Sequence, residues 1–181
     1  MATTLIALMR GINVGRAKRV AMADLRALIE GLGYSDVCTL LNSGNIVFKD
    51  PDSAPDEAGA RIEESIEKRF GFSSRVTILT GSEMAAIVRD NPLLDVAENP
   101  SRLIVAVLAT PEVRTRIVPL TEQDWDPDIL ALGSRVAYLW CPNGVLASRL
   151  PEALERAVGD SVTTRNWRTI SKIHALIQAQ R

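Results

Sequence analysis

Two glycines separated by three residues, Gly11 and Gly15, stand between an apolar run and an amphipathic one, with Arg10 and Arg16 beside them. Glycine-bearing turns can aim several backbone N–H groups at one anion, and arginine adds a planar, bidentate partner for phosphate or carboxylate. The spacing excludes the nucleotide P-loop, which needs four residues between its glycines and then Lys with Ser or Thr; here three intervene and Ala17 follows Arg16. The three-glycine dinucleotide pattern is absent from this loop. Asn13 in the same loop, Ser43 and Asn45 in a second polar turn, and Arg165 with Asn166 near the other end supply polar groups that core packing does not require. The candidate ligand-binding set is therefore Arg10, Gly11, Asn13, Gly15, Arg16, Ser43, Asn45, Arg165 and Asn166. Asn42 and Asn45 have an equally ready structural use, because asparagine caps turns and tolerates left-handed backbone.

Other chemistries find less support. Asp124, Asp126 and Asp128 alternate like the start of a calcium loop, but the sixth and twelfth positions hold Ile129 and Arg135 instead of Gly and Glu. The one histidine, His174, lies on the apolar stripe of a helical pattern, where a packing role is expected before a catalytic one. One His and two distant cysteines, Cys38 and Cys141, make no zinc ligand set, no nucleophile triad and no disulfide framework. No metal and no cofactor is expected, and no catalytic residue is assigned. With aromatic residues at 4% and only Phe48 on the first hairpin, a base-stacking platform for RNA is disfavoured.

The charge pattern points back to the glycine loop. The 181 residues carry 21 Lys plus Arg against 22 Asp plus Glu, which excludes a globally basic nucleic-acid coat. Residues 1–23 hold Arg10, Arg16, Lys18 and Arg19 and no acid; residues 161–181 hold Arg165, Arg168, Lys172 and Arg181, again with no acid. The residues between them therefore carry a net charge of −9. Converging arginines repel unless an anion or carboxylate lies between them. The two basic segments are expected to form one cationic site.

The elements that must position these residues follow from periodicity. Residues 3–9 read as a buried strand, and Met22, Leu25, Leu28, Ile29 and Leu32 repeat at helical spacing. Residues 37–41 and 46–48 form a hairpin about the turn 42–45. A loop at residues 51–55 precedes a helix marked by Ala58, Ile62, Ile66 and Phe70 and stopped by Gly71; residues 75–79 are a strand. Thr80 and Glu83 have the spacing of a capping box. Strands are expected at 103–108, 129–132 and 135–141, and helices at 112–118, from Pro151 to Gly159, and through Trp167, Ile170, Ile173 and Ile177. The last helix follows a short extended piece, with Thr164 as its expected cap. The strands at 5–8 and 103–108 are too apolar for exposed edges and should be interior. The fold class is α+β, with two βαββαβ, ferredoxin-like halves: residues 1–80, a connecting helix and linker at 81–100, and a degenerate copy with a C-terminal helix at 101–181.

Three segments carry a resemblance. Met9-Arg10-Gly11-Ile12-Asn13-Val14-Gly15, Asn42-Ser43-Gly44-Asn45-Ile46-Val47-Phe48 and Thr164-Arg165-Asn166-Trp167 are similar, in order and spacing, to signature segments of the domain of unknown function 1697 family. The resemblance runs nearly end to end. It implies a tandem of two ferredoxin-like halves in a small cytoplasmic protein of chiefly bacterial occurrence, and it implies no chemistry. Arg16 stands where a second glycine is common, and Leu41-Asn42 replaces a more usual Ile-Gln pair.

The leading expectation is a cytoplasmic protein that binds a small anionic ligand, bearing phosphate or carboxylate, through the first loop and the start of the last helix. An enzyme acting on such a ligand, with an acid or Ser43 as the reacting group, is the alternative. A nucleic-acid backbone binder is a third and less favoured one. No apolar run approaches the roughly 20 residues that span a membrane, so no membrane partner is expected.

Overall fold

The computed structural model describes residues 1–52 and 54–180; residue 53, in the loop expected at 51–55, and Arg181 lie outside the described residues. The chain divides into two compact units, Met1–Met84 with the residues from Leu176 onward, and Ala85–Ala175.

In the first unit, β1 (Thr3–Met9), α1 (Met22–Gly31), β2 (Ser35–Leu40), β3 (Asn45–Asp50), α2 (Pro55–Phe70) and β4 (Val76–Thr80) follow in order. The strands form one antiparallel sheet in the order β2-β3-β1-β4. The apolar run of β1 is central, with Leu5, Ala7 and Met9 facing a core built from Leu25 and Ile29 of α1 and Ala58, Ile62 and Ile66 of α2. Those helical residues recur every three or four positions, so each helix buries one stripe and leaves its charged face in water. Gly71 ends α2 in a left-handed conformation, φ +76°, and donates its N–H to the Glu67 carbonyl.

The next helix, α3 (Gly81–Arg89), opens on the expected capping box: the Thr80 N–H donates to Glu83 Oε2 at 2.8 Å and the Glu83 N–H to Thr80 Oγ1 at 3.2 Å. The second unit repeats the element order with β5 (Leu103–Leu108), α4 (Arg114–Thr121), β6 (Ile129–Leu132), β7 (Val136–Trp140), α5 (Leu150–Val158) and β8 (Val162–Asn166). Its antiparallel sheet has the order β6-β7-β5-β8, with the apolar β5 interior as expected. The final helix, α6, spans Trp167–Ala179.

Three local readings change. The piece before α6 is a full strand, paired with β5 from Val162 opposite Leu108 to Asn166 opposite Ile104; its polar sequence, Val-Thr-Thr-Arg-Asn, concealed a sheet edge. Thr164 lies within that strand and does not cap α6. The cap is Asn166, whose Oδ1 accepts from the Thr169 N–H and from Thr169 Oγ1, each at 3.0 Å. Pro119 lies inside α4 instead of ending it. Buried Ile117 and Leu120 on either side carry the helix past a residue that lacks the N–H donor. The protein is α+β, with two four-stranded antiparallel sheets and six α-helices among the described residues.

Candidate functional site

In the first unit the chain leaves β1 under tight control. The Met9 N–H donates to the Gly44 carbonyl and the Arg10 N–H to the Arg75 carbonyl, both at 2.9 Å, and Ser74 Oγ donates to the Arg10 carbonyl. Buried Ile12 and Val20 anchor the two ends of the glycine loop. Gly11 just before Ile12, and Asn13, Gly15 and Lys18 between the two anchors, all adopt left-handed backbone, with φ of +71°, +54°, +60° and +50°. Left-handed residues interspersed through a short loop curl it back on itself, the local geometry from which concave N–H nests are made.

Asn13 is the fastener of this loop. Its N–H donates to the Lys18 carbonyl at 3.0 Å, and its Oδ1 accepts from the Val20 N–H at 2.9 Å. Its Nδ2 donates to the Val20 carbonyl at 3.0 Å and, across 29 residues, to the Asn42 carbonyl at 2.7 Å. Both amide protons are used, so this side chain holds two loops together.

The second loop is the β2–β3 turn. Asn45 is fully buried, and its Nδ2 donates to the Leu40 carbonyl at 2.7 Å and to Ser43 Oγ at 2.9 Å. Gly44, at φ +82°, is required on two counts: a Cβ there would lie 2.7 Å from Ile12 Cδ1 and 2.8 Å from Met9 Cβ. The turn and the glycine loop are therefore packed and hydrogen-bonded into one body.

The cationic side chains decorate that body. Arg16 and Arg19 are exposed and make no hydrogen bond or ion pair among the described residues. Lys18 donates to the Ser73 carbonyl at 3.1 Å and lies 6.0 Å from the Phe72 ring. The sequence nominated Arg16 for the site; Arg19 and Lys18 entered only as contributions to charge, and their exposure is what adds them.

Arg165 and Asn166 belong to the second unit. Arg165 sits on β8 opposite Val105, half-buried, with Nη1 donating to the Thr164 carbonyl at 2.9 Å. Burial pushes its guanidinium down to about 10. A desolvated cation is one whose charge a nearby anion or hydrogen-bond acceptor stabilises most strongly. Asn166 spends its Oδ1 on the start of α6.

The remaining chemistry-bearing residues have local uses. Asp124 Oδ1 accepts from the Asp126 N–H, and Ser148 Oγ donates to Asp128 Oδ2, so this acidic segment braces its own loop. No cluster of three His, Cys, Asp or Glu side chains suited to a metal occurs among the described residues. Cys38 accepts from Gln180 Nε2 at 3.3 Å, and burial pushes the Cys141 thiol up. His174 is half-buried beside Ile170, Ile173 and Ile177. Phe48 is fully buried, its ring centre 4.6 Å from that of Tyr34, so it offers no face to a base. Among the described residues no helix is long and apolar enough to cross a membrane.

Comparisons with known proteins agree with this architecture. A solved structure of a "conserved bacterial protein SP0830 from Streptococcus pneumoniae" matches with a TM-score of 0.82 over 98% of this chain and 99% of that one, at 22% identity, a likeness of fold. No curated protein matches the chain. Residues 2–138 match the family model described as "Protein of unknown function (DUF1697)". That span contains both the glycine loop and the Asn42–Phe48 segment, and it covers most of the chain: the protein belongs to the DUF1697 family.

Proposed function

We propose that the protein binds a small anionic ligand, bearing phosphate or carboxylate, through the glycine loop of its first unit. The observation that carries this reading is the pair Arg16 and Arg19, exposed and without a partner among the described residues, on a loop that Asn13 holds in a curled, left-handed-rich conformation. Two guanidinium groups on a pre-organised loop lose less freedom on binding than two on a mobile one. The segregation of charge supports the same conclusion, since residues 1–23 contain four bases and no acid in a protein of net charge −1.

Each half runs βαββαβ, and the strand orders β2-β3-β1-β4 and β6-β7-β5-β8 correspond position for position, which supports reading both as ferredoxin-like units. Free Cys38 and Cys141 are in keeping with a reducing, cytoplasmic setting.

Thermal unfolding of the full chain in phosphate, against sodium chloride of equal ionic strength, tests the reading. Phosphate should raise the melting temperature of the wild type, and Arg16→Ala/Arg19→Ala should remove most of that rise. An equal rise in both proteins would place the anion elsewhere and end the proposal.

A further inference from the structure

We infer that the anion taken by the glycine loop carries an apolar group beside its charge, so that the preferred ligand is an amphiphile such as an alkyl or acyl phosphate; this rests on the anion-binding reading above. Single exposed apolar side chains are ordinary on protein surfaces. Their distribution here is not scattered. Past Met1, the large apolar side chains exposed on the first unit, among the described residues, are Val14 at 69% and Leu41 at 47%. Both lie on the body formed by the glycine loop and the β2–β3 turn, and each adjoins one end of the Asn13–Asn42 hydrogen bond. The partnerless Arg16 is two residues from Val14.

Leu41 is the more telling of the two. It holds φ +60°, in the left-handed region that side chains branched beyond Cβ rarely adopt and that glycine or asparagine fills at less cost. Burial does not account for a leucine there, because nearly half of it is in water, and the backbone argues against it. A strained, exposed apolar residue on a turn that Asn13 ties to the loop carrying the unpartnered cations points to a function for its side chain. The complementary ligand presents an anion to Arg16 and Arg19 and hydrocarbon to Val14 and Leu41.

Isothermal titration of the full chain with inorganic phosphate, methyl phosphate and hexyl phosphate decides it. Hexyl phosphate should bind about tenfold or more tightly than methyl phosphate, the return expected from partial burial of several methylenes. Leu41→Asn relieves the backbone while removing the apolar surface. It should leave the melting temperature unchanged or higher, keep methyl phosphate affinity within about twofold and abolish most of the hexyl preference, a combination that a purely structural role would not produce. Val14→Ser should act in the same direction. Equal affinity of the wild type for methyl and hexyl phosphate would overturn the inference and leave the anion reading standing; failure of all three phosphates to bind would overturn both. Phosphatidylcholine vesicles with and without phosphatidylglycerol identify the source. Co-sedimentation with the anionic vesicles alone assigns the amphiphile to a bilayer, and hexyl preference without co-sedimentation assigns it to a soluble compound.

Discussion

Gly44 and Gly11 share the same backbone demand but not the same surroundings, and comparing them isolates what close packing adds. Gly44→Ala places a Cβ under 3 Å from Ile12 and Met9 as well as at positive φ. It should cost about 2–4 kcal/mol, the sum of left-handed strain and overpacking. Gly11→Ala has open space around it at φ +71° and should cost only about 1–2 kcal/mol. Urea titrations read both values; equal losses would mean that Ile12 and Met9 yield freely. Asn13 was nominated from sequence as a ligand contact, yet its amide is spent on Val20 and Asn42. Nothing in a linear sequence announces a bond across 29 residues. Asn13→Asp replaces the donating amide with an acceptor and should cost about 1–3 kcal/mol as two carbonyls lose their partner.

At the scale of elements, apolar runs and helical spacing were the readable signals. The central strand β5 coincides with its apolar stretch, and β1 extends its own, Leu5 to Met9, by only Thr3 and Thr4. The Thr80–Glu83 box was legible because it is local and reciprocal. The start of α6 was not, because a polar strand feeds straight into it and the cap moves from Thr164 to Asn166. That assignment has a sharp consequence. Asn166→Ala should destabilise by about 1 kcal/mol, whereas Asn166→Asp, which keeps an acceptor for the Thr169 N–H beside the positive end of the helix, should be nearly neutral. Chemical denaturation of the pair checks it. Thr80→Ala should lose a similar amount at α3.

For the whole molecule, the sequence exposed the segregation of charge and the doubled element order, while the balance of its pH response depends on burial that only the packed structure reveals. Tyr138 on β7 is 2% exposed, and its hydroxyl donates to the Ile87 carbonyl at 2.8 Å. Burial, assisted by Asp90, pushes its pKa up to about 12 from an ordinary 10. A folded pKa above the unfolded one means that the native state holds the proton longer. Its stabilising contribution is therefore complete below pH 10 and is lost as pH climbs toward 12. The stability difference between wild type and Tyr138→Phe should be flat from pH 7 to 9 and then shrink by about 1–3 kcal/mol by pH 12. Taking the difference cancels the opposite contribution of Arg165, whose lowered pKa favours the folded state as alkali removes its charge.

The division of the chain also orders events during synthesis. The first unit is interrupted: it leaves off at Met84 and takes in the residues from Leu176 onward, with Gln180 reaching Cys38 on β2. The second unit is one unbroken stretch. A nascent chain can thus finish the later-encoded unit while the earlier-encoded one still waits for residues 176–180, the last turn of α6 and Gln180. Cys38 gives a clock for that wait. On stalled nascent chains of increasing length its thiol should react readily with a maleimide until residues 176–180 are out, and then slow.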